Sequence, residues 1–151
     1  MASHPYSQLV RYKQWADCGL YNVVAQNLGR LDAQDTAILF RIVDHIHVVD
    51  KIFQRHLLGL PHGFRAPRSE GMPDFQSLSM GVREIDDWYA SYVENMPESD
   101  LDQSVDLVFT NGARTRMRRS EIILHVCLHG TYRAMRASFF KRTASRPTST
   151  G

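Results

Sequence analysis

The chain has 151 residues, of which 43% are hydrophobic and 23% charged, as is typical of a single globular domain. This composition excludes intrinsic disorder and collagen-like structure for the chain as a whole, and no apolar run approaches the roughly 18 residues of a membrane-spanning helix. The first residues show neither the basic start nor the apolar stretch of a signal peptide. Cys18 and Cys127 lie within helical apolar patterns, which predicts core thiols in a reducing compartment. We therefore expect a soluble, cytoplasmic protein without a membrane partner.

The net charge of +2 conceals an asymmetry along the chain. Residues 1–112 carry nine Lys/Arg against fifteen Asp/Glu, whereas residues 113–151 carry nine against one. The basic cluster formed by Arg114, Arg116, Arg118 and Arg119 could attract either phosphate or an acidic protein surface. Aromatic residues are not interleaved with these arginines as they are in single-strand nucleic-acid binders, so the sequence favours a solvated or subunit-facing role over nucleic-acid binding.

Two long helices are predicted in the first part of the chain. From Ser7 to Asn27, apolar residues recur every three or four positions, Trp15 among them, and Gly29 follows as a stop signal. Asp32 or Asp35 can cap a second helix that ends near Leu58. Its apolar stripe includes two histidines, and the members of that stripe are Ile38, Ile42, His45, Val49, Ile52 and His56.

A Gly- and Pro-rich stretch at 59–76 predicts a long loop, followed by a third helix from about Ser77 to Asn95. Alternation of apolar and polar residues within 104–117, interrupted by Asn111-Gly112, predicts a two-stranded hairpin. Ser120 can cap a fourth helix that runs to about Lys141. The predicted architecture is an all-α four-helix bundle of residues 1–141, with a small hairpin before the last helix and a flexible tail at 142–151. The long connections permit a non-sequential arrangement of the helices.

The seven histidines suggest a metal site in the bundle core. His125 and His129 are one helical turn apart, so their rings can approach a common point, and His45 lies on the inward stripe of the second helix. His47, two residues on, faces elsewhere. Neutral imidazoles bind zinc, nickel or iron, and three of them leave a position open for water or substrate. Asp50 and Asp86-Asp87 could act as an acid, a base or an orienting partner, but a solvated or helix-dipole role is favoured for them.

These segments together resemble the DinB/YfiT-like family of four-helix bundles. The likeness is carried by the Tyr and Trp-Ala of residues 9–16, by residues 44–53 with a histidine five positions before an aspartate, and by His-Gly-Thr-Tyr at 129–132. The hairpin before the last helix fits as well, and the resemblance extends from about Gln8 to Phe140. It implies a bacterial cytoplasmic protein, commonly a homodimer, with a zinc- or nickel-type divalent metal held by three histidines.

The chain departs from the family pattern at one ligand position. His45 and His129 carry over, but Arg133 stands where the family has its third histidine, and a guanidinium has no lone pair for a metal. Three outcomes follow: the site is metal-free, it uses His125 instead, or the third ligand comes from elsewhere. Asp44, Asp50 and His56 are the candidates for that last case.

The resemblance implies a hydrolase or a low-molecular-weight-thiol S-transferase in which the metal activates water or a thiol. In such an enzyme His45, His129 and His125 would be metal ligands, and Tyr132 or Arg136 would orient the substrate. The alternative is a non-catalytic, metal-free dimer that serves as a binding or scaffold protein, and Arg133 is the residue that favours it.

Overall fold

The computed structural model describes the backbone of residues 4–144 and the side chains of residues 4–131. Four long helices pack together: α1 (Pro5–Asn27), α2 (Ala33–Leu57), α3 (Phe75–Glu94) and α4 (Arg119–Ala144). A short antiparallel hairpin, β1 (Ser104–Val108) with β2 (Arg114–Arg118), precedes α4. This is the predicted four-helix bundle with a hairpin before its last helix.

The helices are not arranged in sequence order. Helix α1 packs against α3 and α4, and α2 packs against the same two helices, so α1 and α2 lie diagonally across the bundle. The loop of residues 58–74, which we call the connecting loop, and the hairpin segment supply the length for this arrangement. The arrangement places α2 and α4 side by side, which brings their histidines within reach of one another.

Local sequence signals explain most of the helix ends. The Asp32 side chain accepts a hydrogen bond from the backbone N–H of Asp35, so Asp32, one of the two predicted candidates, caps α2. Asp74 caps α3 in the same way through Ser77. Ser120 was predicted to cap α4, but this prediction is wrong. Strand β2 continues directly into the helix, and Glu121 instead accepts from the Arg118 N–H, half of a capping box.

The core lies between the four helices and is closed at one end by the hairpin. Its most buried apolar members come from every helix and from β1: Val10, Val48, Leu78, Tyr89, Val93, Leu107, Ile122, Ile123 and Val126. Trp15, predicted to be a core aromatic, is instead 71% exposed on the outer side of α1. Cys127 is buried as expected, whereas Cys18 is exposed. Apolar spacings of three and four residues predict a helix but do not determine which residues of a long helix face the core.

No helix within residues 4–144 has the length and apolar character needed to cross a membrane. The described side chains do not include those of Tyr132 and Arg136, which were predicted to orient the substrate, or that of Arg133. Residues 145–151 of the predicted tail also lie outside them, while the α4 backbone continues three residues past Lys141.

Candidate functional site

The structure brings His45 of α2 and His129 of α4 into direct contact. Their Nε2 atoms are 3.2 Å apart, and the two rings meet edge to face with their centroids 5.1 Å apart. Both side chains are half-buried. We call these two residues the histidine pair. Each comes from a different helix and 84 positions separate them in the chain, so the bundle packing alone creates their contact.

The other nitrogen of His45 defines which tautomer it adopts. His45 Nδ1 lies 2.7 Å from the backbone carbonyl oxygen of Pro67 in the connecting loop. A carbonyl oxygen can only accept, so Nδ1 carries the proton and donates it. In neutral His45 the lone pair therefore resides on Nε2, the atom that faces His129.

This geometry suits two ligands of one metal ion. Two nitrogens that each lie about 2.0–2.1 Å from a tetrahedral zinc are about 3.4 Å apart, close to the observed separation of the two Nε2 atoms. A ligating histidine usually donates its second ring N–H to a carbonyl or carboxylate, as His45 does to Pro67. Without metal, the same distance is a hydrogen bond in which His129 Nε2–H donates to His45 Nε2.

His125 lies beside the pair on the same face of α4. Its ring stacks on that of His129, with centroids 5.7 Å apart and planes 15° apart, and it also contacts Phe53 of α2 at 4.9 Å. Within the described side chains, no three His, Cys, Asp or Glu residues form a group able to hold a metal ion. The described part of the site therefore consists of two converging nitrogens and a third imidazole stacked alongside.

The weaker ligand candidates are engaged elsewhere. Both carboxylate oxygens of Asp44 accept hydrogen bonds from Ser69. Asp50 lies 2.8 Å from the Lys13 ammonium in the bundle centre. His56 is buried between the rings of Phe53 and His62. These three side chains thus lie in their own environments rather than at the histidine pair.

His47 points away from the pair, as its position two residues after His45 predicts. It is buried against α3, where its ring packs on Gly81, and burial lowers its pKa to about 4. The neighbouring Lys51 ammonium is the second cause of this lowered pKa. His47 is therefore neutral at physiological pH, and it serves the contact between α2 and α3 rather than the site between α2 and α4.

An unexpected charged group occupies the bundle centre. The Lys13 ammonium lies 2.7 Å from Asp17, 2.8 Å from Asp50 and 2.8 Å from Asp86, and all four side chains are buried. We call these residues the core ion cluster. The favoured expectation that Asp50 and Asp86 are solvated is wrong, and only Asp87 is exposed. A buried lysine supplies the partner that makes burial of these carboxylates tolerable.

The cluster is electrostatically unbalanced, with one ammonium facing three carboxylates. Burial raises the pKa of Asp86 to about 8 and that of Asp50 to about 6, while Lys13 opposes both shifts. Burial by itself lowers the pKa of Lys13, but the three carboxylates outweigh it and raise that pKa well above its usual value. Helical spacing could have predicted the burial of two of these residues, because Lys13 and Asp17 lie on the same side of α1 as the buried Val10 and Tyr21.

Three arginines of the hairpin and of the start of α4 have partners within the chain, and two of these partners are acidic. Arg116 bonds to Asp106 across the strands at 2.8 Å, Arg118 lies 3.5 Å from Asp102, and Arg119 donates to the hydroxyl of Tyr92. Strand register explains the first contact, because Asp106 pairs directly with Arg116. These arrangements agree with a surface balanced by its own acidic residues.

The chain matches no protein-family model, no curated protein and no solved structure.

Proposed function

We propose that this protein binds a divalent metal ion through the histidine pair and uses it as a hydrolase or as a transferase of a low-molecular-weight thiol. The observation that carries the proposal is the 3.2 Å separation of the His45 and His129 Nε2 atoms, with His45 Nδ1 donating to Pro67. The resemblance to DinB/YfiT-like bundles supports it, because the same two positions are metal ligands in that family.

The roles of the protein groups follow from this geometry. His45 and His129 would hold the ion, and the Pro67 carbonyl keeps the His45 lone pair directed at it. A bound divalent ion supplies Lewis acidity, which makes water or a thiol nucleophilic at neutral pH. His125 is the nearest further imidazole, and Tyr132 is the candidate hydrogen-bond donor to a substrate by its place in the family motif.

Arg133 supports a second candidate, a metal-free binding or scaffold protein. A guanidinium at the family's third ligand position would place a fixed positive charge where a cation should bind. In this case the histidine pair is a hydrogen bond that joins α2 to α4.

Metal titration separates the two candidates. We expect isothermal titration of the untagged chain with zinc and nickel to show binding that weakens at least tenfold in His129→Ala. His47→Ala is the matched control, since that ring faces α3, and circular dichroism verifies that both variants fold. Metal-dependent turnover of an activated ester, or of an aryl halide with glutathione or cysteine, then tests the two chemistries.

Replacing Arg133 with His tests the ligand position itself. The change restores the family spacing of four residues after His129, so we expect zinc or nickel to bind at least tenfold tighter, a gain of about 1.4 kcal/mol. Equal and tight binding by both proteins would show that His125 serves as the third ligand. Negligible binding by both would refute the metal site and leave the scaffold function.

A further inference from the structure

The connecting loop is fastened to α2 beside the histidine pair. Ser69 donates twice to Asp44, from its backbone N–H to Oδ2 at 2.9 Å and from its hydroxyl to Oδ1 at 2.6 Å. Asp44 is 2% exposed, so this carboxylate is withdrawn from water and both its oxygens are satisfied by one residue. Charge-assisted hydrogen bonds of this kind are short and directional, and they fix the backbone at Ser69.

The same short stretch of loop contacts the next residue of α2. Pro67, two positions before Ser69, presents its carbonyl to Nδ1 of His45, and His45 directly follows Asp44. Residues within and on both sides of this stretch are exposed, Arg65, Arg68 and Glu70 among them. For loop residues 65–73, the hydrogen bonds to other segments of the described chain are those to Asp44 and His45. Fixing Ser69 therefore fixes where the Pro67 carbonyl lies.

We propose that Asp44 and Ser69 form a clamp that positions His45 by holding the Pro67 carbonyl against its Nδ1. The clamp selects the Nδ1–H tautomer and aims the Nε2 lone pair at His129. Its importance for metal binding rests on the proposed function, but its effect on the tautomer does not. Asp44 is thus a positioning residue that acts on the loop through the backbone N–H and the hydroxyl of Ser69, and the hydroxyl is the one of these two groups that a substitution can remove.

The His45 tautomer in the metal-free protein is the direct readout. Long-range ¹H–¹⁵N NMR distinguishes a protonated from an unprotonated ring nitrogen, and His45→Gln assigns the signals. We expect wild type to show the Nδ1–H tautomer alone, and Ser69→Ala and Asp44→Asn to show a mixture of tautomers. Ser69→Thr retains the hydroxyl and is expected to behave as wild type.

Zinc affinity is the second readout, and we expect Ser69→Ala to bind zinc about tenfold more weakly than wild type. Loss of a group that orients a metal-ligating histidine typically lowers metal affinity by about 10- to 100-fold. If His45 keeps the wild-type tautomer in Ser69→Ala, the proposed clamp is refuted, even if the variant melts at a lower temperature. A shifted tautomer with no zinc binding in any protein would refute the proposed function and leave the clamp standing. Since Ser69 lies in a partly exposed loop, Ser69→Ala decides the matter if Asp44→Asn fails to fold.

Discussion

A single buried lysine determines how three aspartates behave in this protein. Asp17, Asp50 and Asp86 come from three different helices and meet at the Lys13 ammonium. Helix α4 leaves room for this lysine at Gly130, where an added Cβ would lie 3.1 Å from the Lys13 side chain. With one ammonium against three carboxylates, the cluster retains a proton on Asp86 at neutral pH.

Because of this proton, we expect the protein to become less stable as the pH rises above neutrality. The pKa of Asp86 is about 8 in the folded protein against an ordinary 3.8, so the folded state binds more protons between these values. The stabilisation is fully present below about 3.8 and is lost as pH rises through about 8. We expect the free energy of unfolding in urea to fall from pH 6.5 to 9 in wild type and to fall distinctly less in Asp86→Asn.

The pH range separates Asp86 from His47 and Asp50. The pKa of His47 is lowered to about 4, so its effect on the free energy of unfolding changes only as the pH falls below about 6.5. The pKa of Asp50 is about 6, which lies below the measured range. Asp87→Asn changes the exposed neighbour on α3 and should retain the wild-type slope. Identical slopes in all three proteins would show that Asp86 does not hold the proton.

At the level of elements, α2 has a different partner on each side. His45 faces α4, His47 faces α3, Asp44 holds the connecting loop and Asp50 reaches the bundle centre. The contact with α3 is close because Gly81 lacks a side chain. A Cβ built there would lie 2.7 Å from His47 Nε2, well inside van der Waals contact.

Gly81→Ala should therefore destabilise the protein although alanine favours helices. Overpacking a tight contact costs about 1–3 kcal/mol. The higher helix propensity of alanine offsets only about 1 kcal/mol of this cost. Gly19→Ala is the matched control in α1, because no atom lies within 4 Å of its added Cβ, and we expect it to stabilise by about 0.5–1 kcal/mol. Urea unfolding measures both.

Adding His47→Ala to Gly81→Ala removes the clashing ring and should make the effect of Gly81→Ala smaller or reverse it. Equal stabilisation by Gly81→Ala and Gly19→Ala would contradict the close approach of α2 and α3.

For the whole molecule, the outer sides of the neighbouring helices α1 and α4 carry exposed apolar residues. Trp15 is 71% exposed, Leu128 is 67% exposed and Tyr12 is 56% exposed, and the rings of Tyr12 and Trp15 contact each other. Large exposed aromatic and aliphatic side chains on adjacent elements are typical of protein interfaces. The excess of acidic residues in 1–112 and of basic residues in 113–151 is a further reason to expect two copies to attract each other.

We accordingly expect a homodimer that uses this α1–α4 side. Light scattering at micromolar concentration should give a mass near twice the 17.3 kDa of the chain, and Trp15→Glu or Leu128→Glu should reduce it to one chain. Met80→Glu, on the exposed side of α3, serves as the control and should leave the mass unchanged. A wild-type mass near 17.3 kDa would contradict the expectation.

Much of this fold follows from local sequence patterns. Apolar spacing predicted all four helices, Asp32 predicted the start of α2, and the segment around Asn111-Gly112 predicted the hairpin. Gly112 adopts a φ of 82°, which is the conformation that favours glycine in such a turn. These features are predictable because their causes lie within a few residues of one another. Helical phase likewise separated His45 from His47.

Other features depended on segments that meet only in the folded chain. The apolar periodicity predicted that Trp15 faces the core, but α1 packs on α3 and α4 through its other side, and Trp15 is exposed. The burial of Asp86 required Lys13, 73 residues away, and the tautomer of His45 required a carbonyl from a loop without periodicity. The sequence by itself determined the helices and which of their faces carry histidines. The tertiary structure decided which charges are buried and which nitrogens converge, because the energy of a buried polar group is set by partners that packing brings to it.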